Sequence, residues 1–206
     1  SVATGGPRFV LRVTGNHHSE ARLLSEMQCL SALQSDTGVC VPSPVAALDG
    51  RFVVDASVAS LPEPRRCTLF HWLDGTPIDE EQMNAADFSA MGAASARLHQ
   101  SSASLTALSG LDRPHWDEQL CLDPGVSNTF DRIGAYLRHH LPPESLSRFV
   151  DFEEQARVLM SRQREDPSCY GLIHGDLHPG NCLFQHGAVA IFDFEDLGWG
   201  YFLYDV

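Results

Sequence analysis

The stretch LIHGDLHPGN at residues 172–181, closely followed by the apolar run AVAIFDFED at 188–196, constrains this chain more than any other feature. A short apolar segment runs into two histidines, an aspartate, two glycines, a proline and an asparagine. Pro179 and Gly180 interrupt any regular element there. YGLIHGD, NCLFQHG and AVAIFDFED each read as a short strand or turn with polar groups at its end. A loop then supplies Asp176 and Asn181, and a hairpin returns Asp193.

His174, Asp176 and Asn181 spell H-x-D-x-x-x-x-N, with Asp193 closing an apolar strand further on. Phosphoryl transfer needs this set of groups. One carboxylate orients a hydroxyl nucleophile, while an amide oxygen and a second carboxylate hold the magnesium ions that bridge nucleotide phosphates. A rival stands beside it: His174, Asp176 and His178 alternate, and on an extended strand they would offer zinc or iron ligands to a metal-dependent hydrolase. Against that rival, Pro179 and Gly180 break the strand, no second histidine pair of ligand spacing follows, and Asn181 is left without a role.

Upstream, RFVLRV alternates so that Phe9, Leu11 and Val13 face one way and Val10 and Arg12 the other, and the TGG before it signals a hairpin. Ser19 can cap a helix to about Gln34 with Leu23, Met27, Leu30 and Leu33 as its apolar stripe. Strands are expected at Val45–Leu48 and Phe52–Val54 across the Asp49–Gly50 turn. CTLFHWLDG reads as a further strand. Helices follow from Asn84 to about Gln100 (Phe88, Met91, Ser95 and Leu98), from Asn128 to His140, and from about Glu144 to Arg164. The change of character near Leu73–Pro77 divides a β-rich unit at 1–73 from a mostly helical unit at 74–206.

The formal net charge of -13 repels a phosphodiester backbone over most of the surface, so nucleic acid is not an expected partner. Neither is a membrane, because no apolar run approaches the ~20 residues a spanning helix needs. The six cysteines form no C-x-x-C pairs, so free thiols in a reducing cytoplasm are expected. His17, His18, His139 and His140 read as loop or helix-end residues, His99 as packed or bound to backbone, and Trp72 and Trp116 as packing aromatics.

HGDLHPGN with IFDFED resembles the aminoglycoside phosphotransferase and choline kinase-like group, which shares the protein-kinase fold. RFVLRV, SEMQCLSAL and RRCTLFHWLDG look most like its branch of type II homoserine kinases and bacterial stress-response kinases. The resemblance implies a two-lobed α+β protein-kinase-like fold and ATP-dependent transfer of a phosphate to a hydroxyl, with ATP and magnesium as cofactors. The acceptor would be a small molecule such as homoserine, choline, a sugar or an aminoglycoside, or a protein serine or threonine. Asp176 matches the catalytic base, Asn181 and Asp193 the magnesium ligands, and His174 the histidine that orients the loop. His178 lies where protein kinases place a lysine near the transferred phosphate, and Asp196 is placed to support the metal site or meet substrate.

Arg12 takes the position of the phosphate-gripping lysine, a departure that gives a planar fork in place of a point charge. Glu26 is its expected partner, with Glu20 the competitor. Val10 would lie beside the nucleotide, and Phe70, His71 and Trp72 belong to the linker whose backbone would meet the adenine. The glycine-rich loop expected before TGGPRFVLRV and the helices expected after GYFLYDV are not in this sequence, which reads as an internal fragment with both lobes truncated. A nucleotide-binding protein without turnover is the remaining alternative.

Overall fold

The computed structural model describes residues 6–15, 18–36, 38–57, 63–105, 110–116 and 136–206. The alternating FVLRVT forms β1 (Phe9–Thr14), antiparallel to β4 (Arg65–His71) from Phe9 opposite His71 to Thr14 opposite Arg66. Phe9, Leu11 and Val13 are exposed, whereas Arg12 is half-buried and Thr14 buried. The face carrying the charge is thus the one turned inward. Most of the TGG turn expected before β1 lies outside the described residues.

Helix α1 (Glu20–Asp36) begins where expected, with the Ser19 hydroxyl accepting the Arg22 N–H at 3.0 Å. Leu23, Met27, Leu30 and Leu33 are all fully buried. Glu26, on the same side, is as deeply buried as they are.

The two strands expected around the Asp49–Gly50 turn do not pair with each other. The turn forms, with Gly50 at φ 86 and its N–H donating to the Ala47 carbonyl at 2.9 Å. But β2 (Pro44–Val45) and β3 (Val54–Ala56) both lie antiparallel to β4, at Phe70–Leu69 and Cys67–Arg65 respectively. The seven-residue β4 has a whole edge of backbone groups to satisfy, and it takes both short segments.

Helix α2 (Ala85–Leu105) opens with a reciprocal cap. The Asn84 side-chain oxygen accepts from Ala86 N at 2.8 Å, and the Asp87 carboxylate accepts from Asn84 N at 3.0 Å. Its buried stripe is Ala94, Ser95, Leu98, Ser101 and Ser102; Phe88, expected in that stripe, is exposed. Of the helix expected at Asn128–His140, residues 136–140 are helical and the remainder lies outside the described residues. α3 (Pro143–Ser161) follows.

After α3 come β5 (Tyr170–Ile173), the hairpin of β6 (Cys182–Gln185) and β7 (Ala188–Ile191), and β8 (Gly198–Tyr201). The hairpin turns on His186 and Gly187, both at positive φ (50 and 78), the backbone that a tight two-residue turn requires. β8 pairs antiparallel with β5. The sequence GWGY announced no strand, because its alternating glycines leave no apolar periodicity to read.

Met27, Leu30 and Leu33 of α1, Ala94 and Leu98 of α2, Leu172 of β5, Ile191 of β7 and Phe194 belong to one continuous core. Two main-chain links fasten the hairpin to the preceding elements. Ile191 N donates to Cys40 O at 2.9 Å, and Thr76 exchanges both backbone bonds with Phe184, at 3.0 and 2.9 Å. No described helix is long and apolar enough to cross a membrane. The five described cysteines are free thiols; Cys121 lies outside the described residues.

Gly75, just before the Thr76 link, has φ 140, and a Cβ there would stand 2.8 Å from Leu183 Cβ. Gly75→Ala is expected to destabilise the fold by about 1–3 kcal/mol, through backbone strain and overpacking together. A denaturant titration reads this as a lower midpoint at unchanged slope.

Candidate active site

Three parts of the chain carry the polar and charged groups of the site. The first is Arg12 on β1, whose Nη1 and Nη2 donate to Oε1 and Oε2 of Glu26 at 2.9 and 2.8 Å. Glu26 comes from the buried side of α1, so a planar two-bond fork spans sheet and helix. Glu20, the competing partner, is exposed at the start of the helix. The Arg12 guanidinium also lies over the Phe70 ring at 5.2 Å. Burial alone would lower its pKa, but the bonds and charge of Glu26 outweigh that and the pKa rises. Its Nε–H is buried with no partner among the described residues.

The second part is the loop after β5. His174 is fully buried. Its Nε2 lies 3.0 Å from the Phe192 carbonyl and so carries the proton, while Nδ1 accepts from Asp176 N at 3.3 Å. Burial pushes the His174 pKa down, which keeps the ring neutral. Gly175 has φ 85, and a Cβ there would stand 2.4 Å from the Asp196 carbonyl, so only glycine fits.

Asn181, nearly buried, donates its Nδ2–H to Asp176 O at 2.9 Å and to Asp176 Oδ2 at 3.2 Å. Its Oδ1 is thereby left as an acceptor. His178 Nδ1 accepts from Gly180 N at 3.1 Å, which assigns the proton to Nε2, 3.7 Å from Asp176 Oδ2. The zinc-type grouping does not form: His174 turns inward to Phe192, and among the described residues no three His, Cys, Asp or Glu side chains assemble as a metal cluster.

The third part is the end of the β6–β7 hairpin. Phe192 N donates to Asn181 O at 3.0 Å, tying the loop to the strand that delivers Asp193. Asp193 sits in the left-handed region at φ 64, ψ 62, and its carboxylate has no hydrogen-bond or ion-pair partner among the described residues. The turn Phe194–Asp196 follows, where His18 Nε2 meets Glu195 at 2.6 Å and Arg22 stands 4.0 Å from Asp196. Burial raises the Asp196 pKa.

A cavity of about 540 Å³ is lined by Val10, Arg12, Glu26, Phe70, His71, Trp72 and Asp193, bringing seven of the ten expected site residues to one wall. Asp176, His178 and Asn181 are not among its lining residues. The linker departs from expectation in one respect. The N–H groups of His71 and Trp72 already donate to Ser43 O (2.9 Å) and Arg8 O (3.0 Å). Those two amides are therefore not available to a base.

Sequence reasoning passed over Asp205, a buried carboxylate whose Oδ2 and Oδ1 accept the N–H groups of His174 (2.8 Å) and Gly175 (2.9 Å). His99 Nε2 meets the same carboxylate at 2.9 Å and stacks on Phe202, so of the two expected roles it takes the packed one. His18, expected in a loop, is buried against Glu195. Arg113 was also passed over; its guanidinium is buried among backbone carbonyls. An isolated aspartate in FLYDV or an arginine in GLDRPHW carries no local pattern that would single it out.

The phosphotransferase enzyme family matches over residues 1–206. Amicoumacin kinase of Bacillus subtilis (strain 168) is 28% identical over 211 residues, covering 96% of this chain and 55% of the relative. Amicoumacin kinase hAmiN, solved in complex with AMP-PNP, Ca2+ and Ami, superposes with a TM-score of 0.74 at 23% identity, over 98% of this chain and 56% of that one. A microcompartment-associated aminopropanol kinase superposes at 0.66 with 27% identity, over 98% and 62%. The chain thus spans little more than half the length of the curated relative. Its fold is the two-lobed, protein-kinase-like α+β fold of these proteins.

A double-mutant cycle checks the Arg12–Glu26 fork directly. Glu26→Ala leaves a largely buried guanidinium without its anion and is expected to cost about 3 kcal/mol of stability. Arg12→Ala added to it should cost little more, because the pair acts as a unit. Equal, additive losses in denaturant midpoints would contradict the geometry.

Proposed function

Because this chain belongs to the phosphotransferase enzyme family, we propose that the protein transfers the γ-phosphate of ATP to a hydroxyl group of a small molecule. The observation that carries this is the shared cavity in which the Arg12–Glu26 fork and the unpartnered Asp193 line one wall. A nucleotide fits there with its base against Val10, Phe70 and Phe192 and its phosphates toward the Arg12 guanidinium.

The donor set suits magnesium. Asn181 Oδ1 and the Asp193 carboxylate are hard oxygen ligands, and two protein ligands leave positions for water and phosphate oxygens, as this ion prefers. When bound, the ion neutralises charge on the phosphates.

Asp176 is the base in this reading. The Asn181 Nδ2–H at 3.2 Å holds Oδ2 and leaves Oδ1 to accept the proton of the attacking hydroxyl. His178 Nε2–H, close to the same carboxylate, is placed to donate to the transferred phosphate. The acceptor is a hydroxylated small molecule, of the kind for which the amicoumacin and aminopropanol kinases are named, rather than a protein side chain. The free thiols accord with work in a reducing cytoplasm.

Two substitutions separate the roles. Asp176→Asn keeps the side-chain shape and leaves the metal ligands untouched, so nucleotide affinity should persist while turnover falls by about 10²–10⁴-fold. A variant that turns over at the parent rate removes Asp176 as base. Asp193→Ala should abolish the magnesium dependence of nucleotide binding with the fold retained, read by titrating nucleotide with and without the ion.

A further inference from the structure

Arg113 lies in the segment 110–116, to which neither the motif nor the cavity assigns a part. It is 6% exposed, and among the described residues no carboxylate forms an ion pair with it. Its guanidinium instead donates to four backbone carbonyls. Nε reaches Leu197 O; Nη2 reaches Phe194 O at 3.2 Å and Glu195 O at 2.8 Å; Nη1 reaches Arg22 O at 3.2 Å. Two of these carbonyls belong to the turn that immediately follows Asp193, the third to Leu197 at its end, and the fourth lies on α1 one helical turn before Glu26.

That distribution is informative because a buried cation costs several kcal/mol unless its donors are met. Here they are met by carbonyls for a reason visible in the backbone. Asp193 adopts left-handed φ and ψ and the chain after it leaves the β7 ladder, so these carbonyls do not pair across a strand, although Phe194 O also accepts from Leu197 N at 3.1 Å. The neighbouring residues stitch the same two elements. Asp112 N donates to Ser25 Oγ at 2.8 Å, Ser19 Oγ donates to Asp112 at 3.0 Å, and Trp199 N donates to Pro114 O at 2.8 Å. Residues 112–114 therefore form a strap between α1 and residues 194–199, with Arg113 at its centre.

We propose that Arg113 is a positioning residue for phosphoryl transfer, holding the Asp193 carboxylate in its left-handed turn at a fixed distance from the Glu26–Arg12 fork. This rests on the reading of Asp193 as a metal ligand. Lysine cannot replace arginine here, since one ammonium cannot span carbonyls on two elements at once.

The test compares Arg113→Lys and Arg113→Met with the parent in the intact protein, measuring binding of a non-hydrolysable ATP analogue across a magnesium titration. Both variants should raise the half-saturating magnesium concentration at least tenfold and lower kcat, with KM for the acceptor nearly unchanged. Ser102→Ala, which removes a buried hydroxyl from α2 outside the strap, should lower thermal stability and leave the magnesium dependence alone. Half-saturation within twofold of the parent in either arginine variant would overturn the inference, even if stability drops. Should Arg113→Met not fold, Arg113→Lys keeps the charge and decides the question by itself. A parent that binds the analogue without any magnesium dependence would overturn the metal reading first, and this inference with it.

Discussion

The carboxylate of Asp205, buried one residue from the end of the chain, is the interaction on which the site depends. A loop leaving a β-strand for the interior carries N–H groups that no neighbouring strand accepts, and an unmet buried donor costs about 1–3 kcal/mol. Asp205 accepts two of them, from His174 and Gly175, one on each oxygen. His99 of α2 holds the carboxylate from another side. From there the order propagates through His174 to the Phe192 carbonyl, and through Phe192 N to Asn181. Asp176 is thus two hydrogen bonds from the buried anion, and Asn181 three.

Around that anchor, several rules that hold elsewhere in the fold are broken together. Glu26 stands fully buried beside the apolar stripe of α1, Arg113 is a buried arginine with no carboxylate in ion-pair contact among the described residues, and Asp193 is a non-glycine residue at positive φ. Each departure is compensated by a named partner: the Arg12 fork for Glu26, four carbonyls for Arg113, and the strapped turn for Asp193. Such a concentration of compensated strain and buried charge marks a site under demands other than stability. Among the described residues the exposed Asp193 carboxylate has no protein partner, and it is the group a metal ion would engage in the proposed reading.

Much of the framework was legible in the sequence, for a simple reason. The Ser19 cap, the Leu23–Met27–Leu30–Leu33 stripe and the β6–β7 hairpin are encoded by periodicity or by residues a few positions apart. The motif H-x-D-x-x-x-x-N likewise works locally, because one loop carries all its members and Asn181 bonds Asp176 within it. Where local signals were weak the reading slipped. Phe88 continued a helical pattern yet faces solvent, and the strands expected on either side of the Asp49–Gly50 turn are shorter or displaced and pair with β4.

By itself, then, the sequence determined the fold family, most of the order of elements and the motif on which the proposed phosphoryl-transfer chemistry rests, because spacing along the chain suffices for each. Tertiary structure alone decided that Glu26 rather than Glu20 meets Arg12, that β2 and β3 share the edge of β4, that GWGY becomes a strand against β5, and that Asp205 and Arg113 hold the site. The physical reason is common to all of these. Which donor or acceptor is left unmet at a given point depends on how the whole chain has packed, and residues far apart in sequence, such as Arg113 and Glu195 or Gly175 and Asp205, are selected by that packing rather than by any pattern near them.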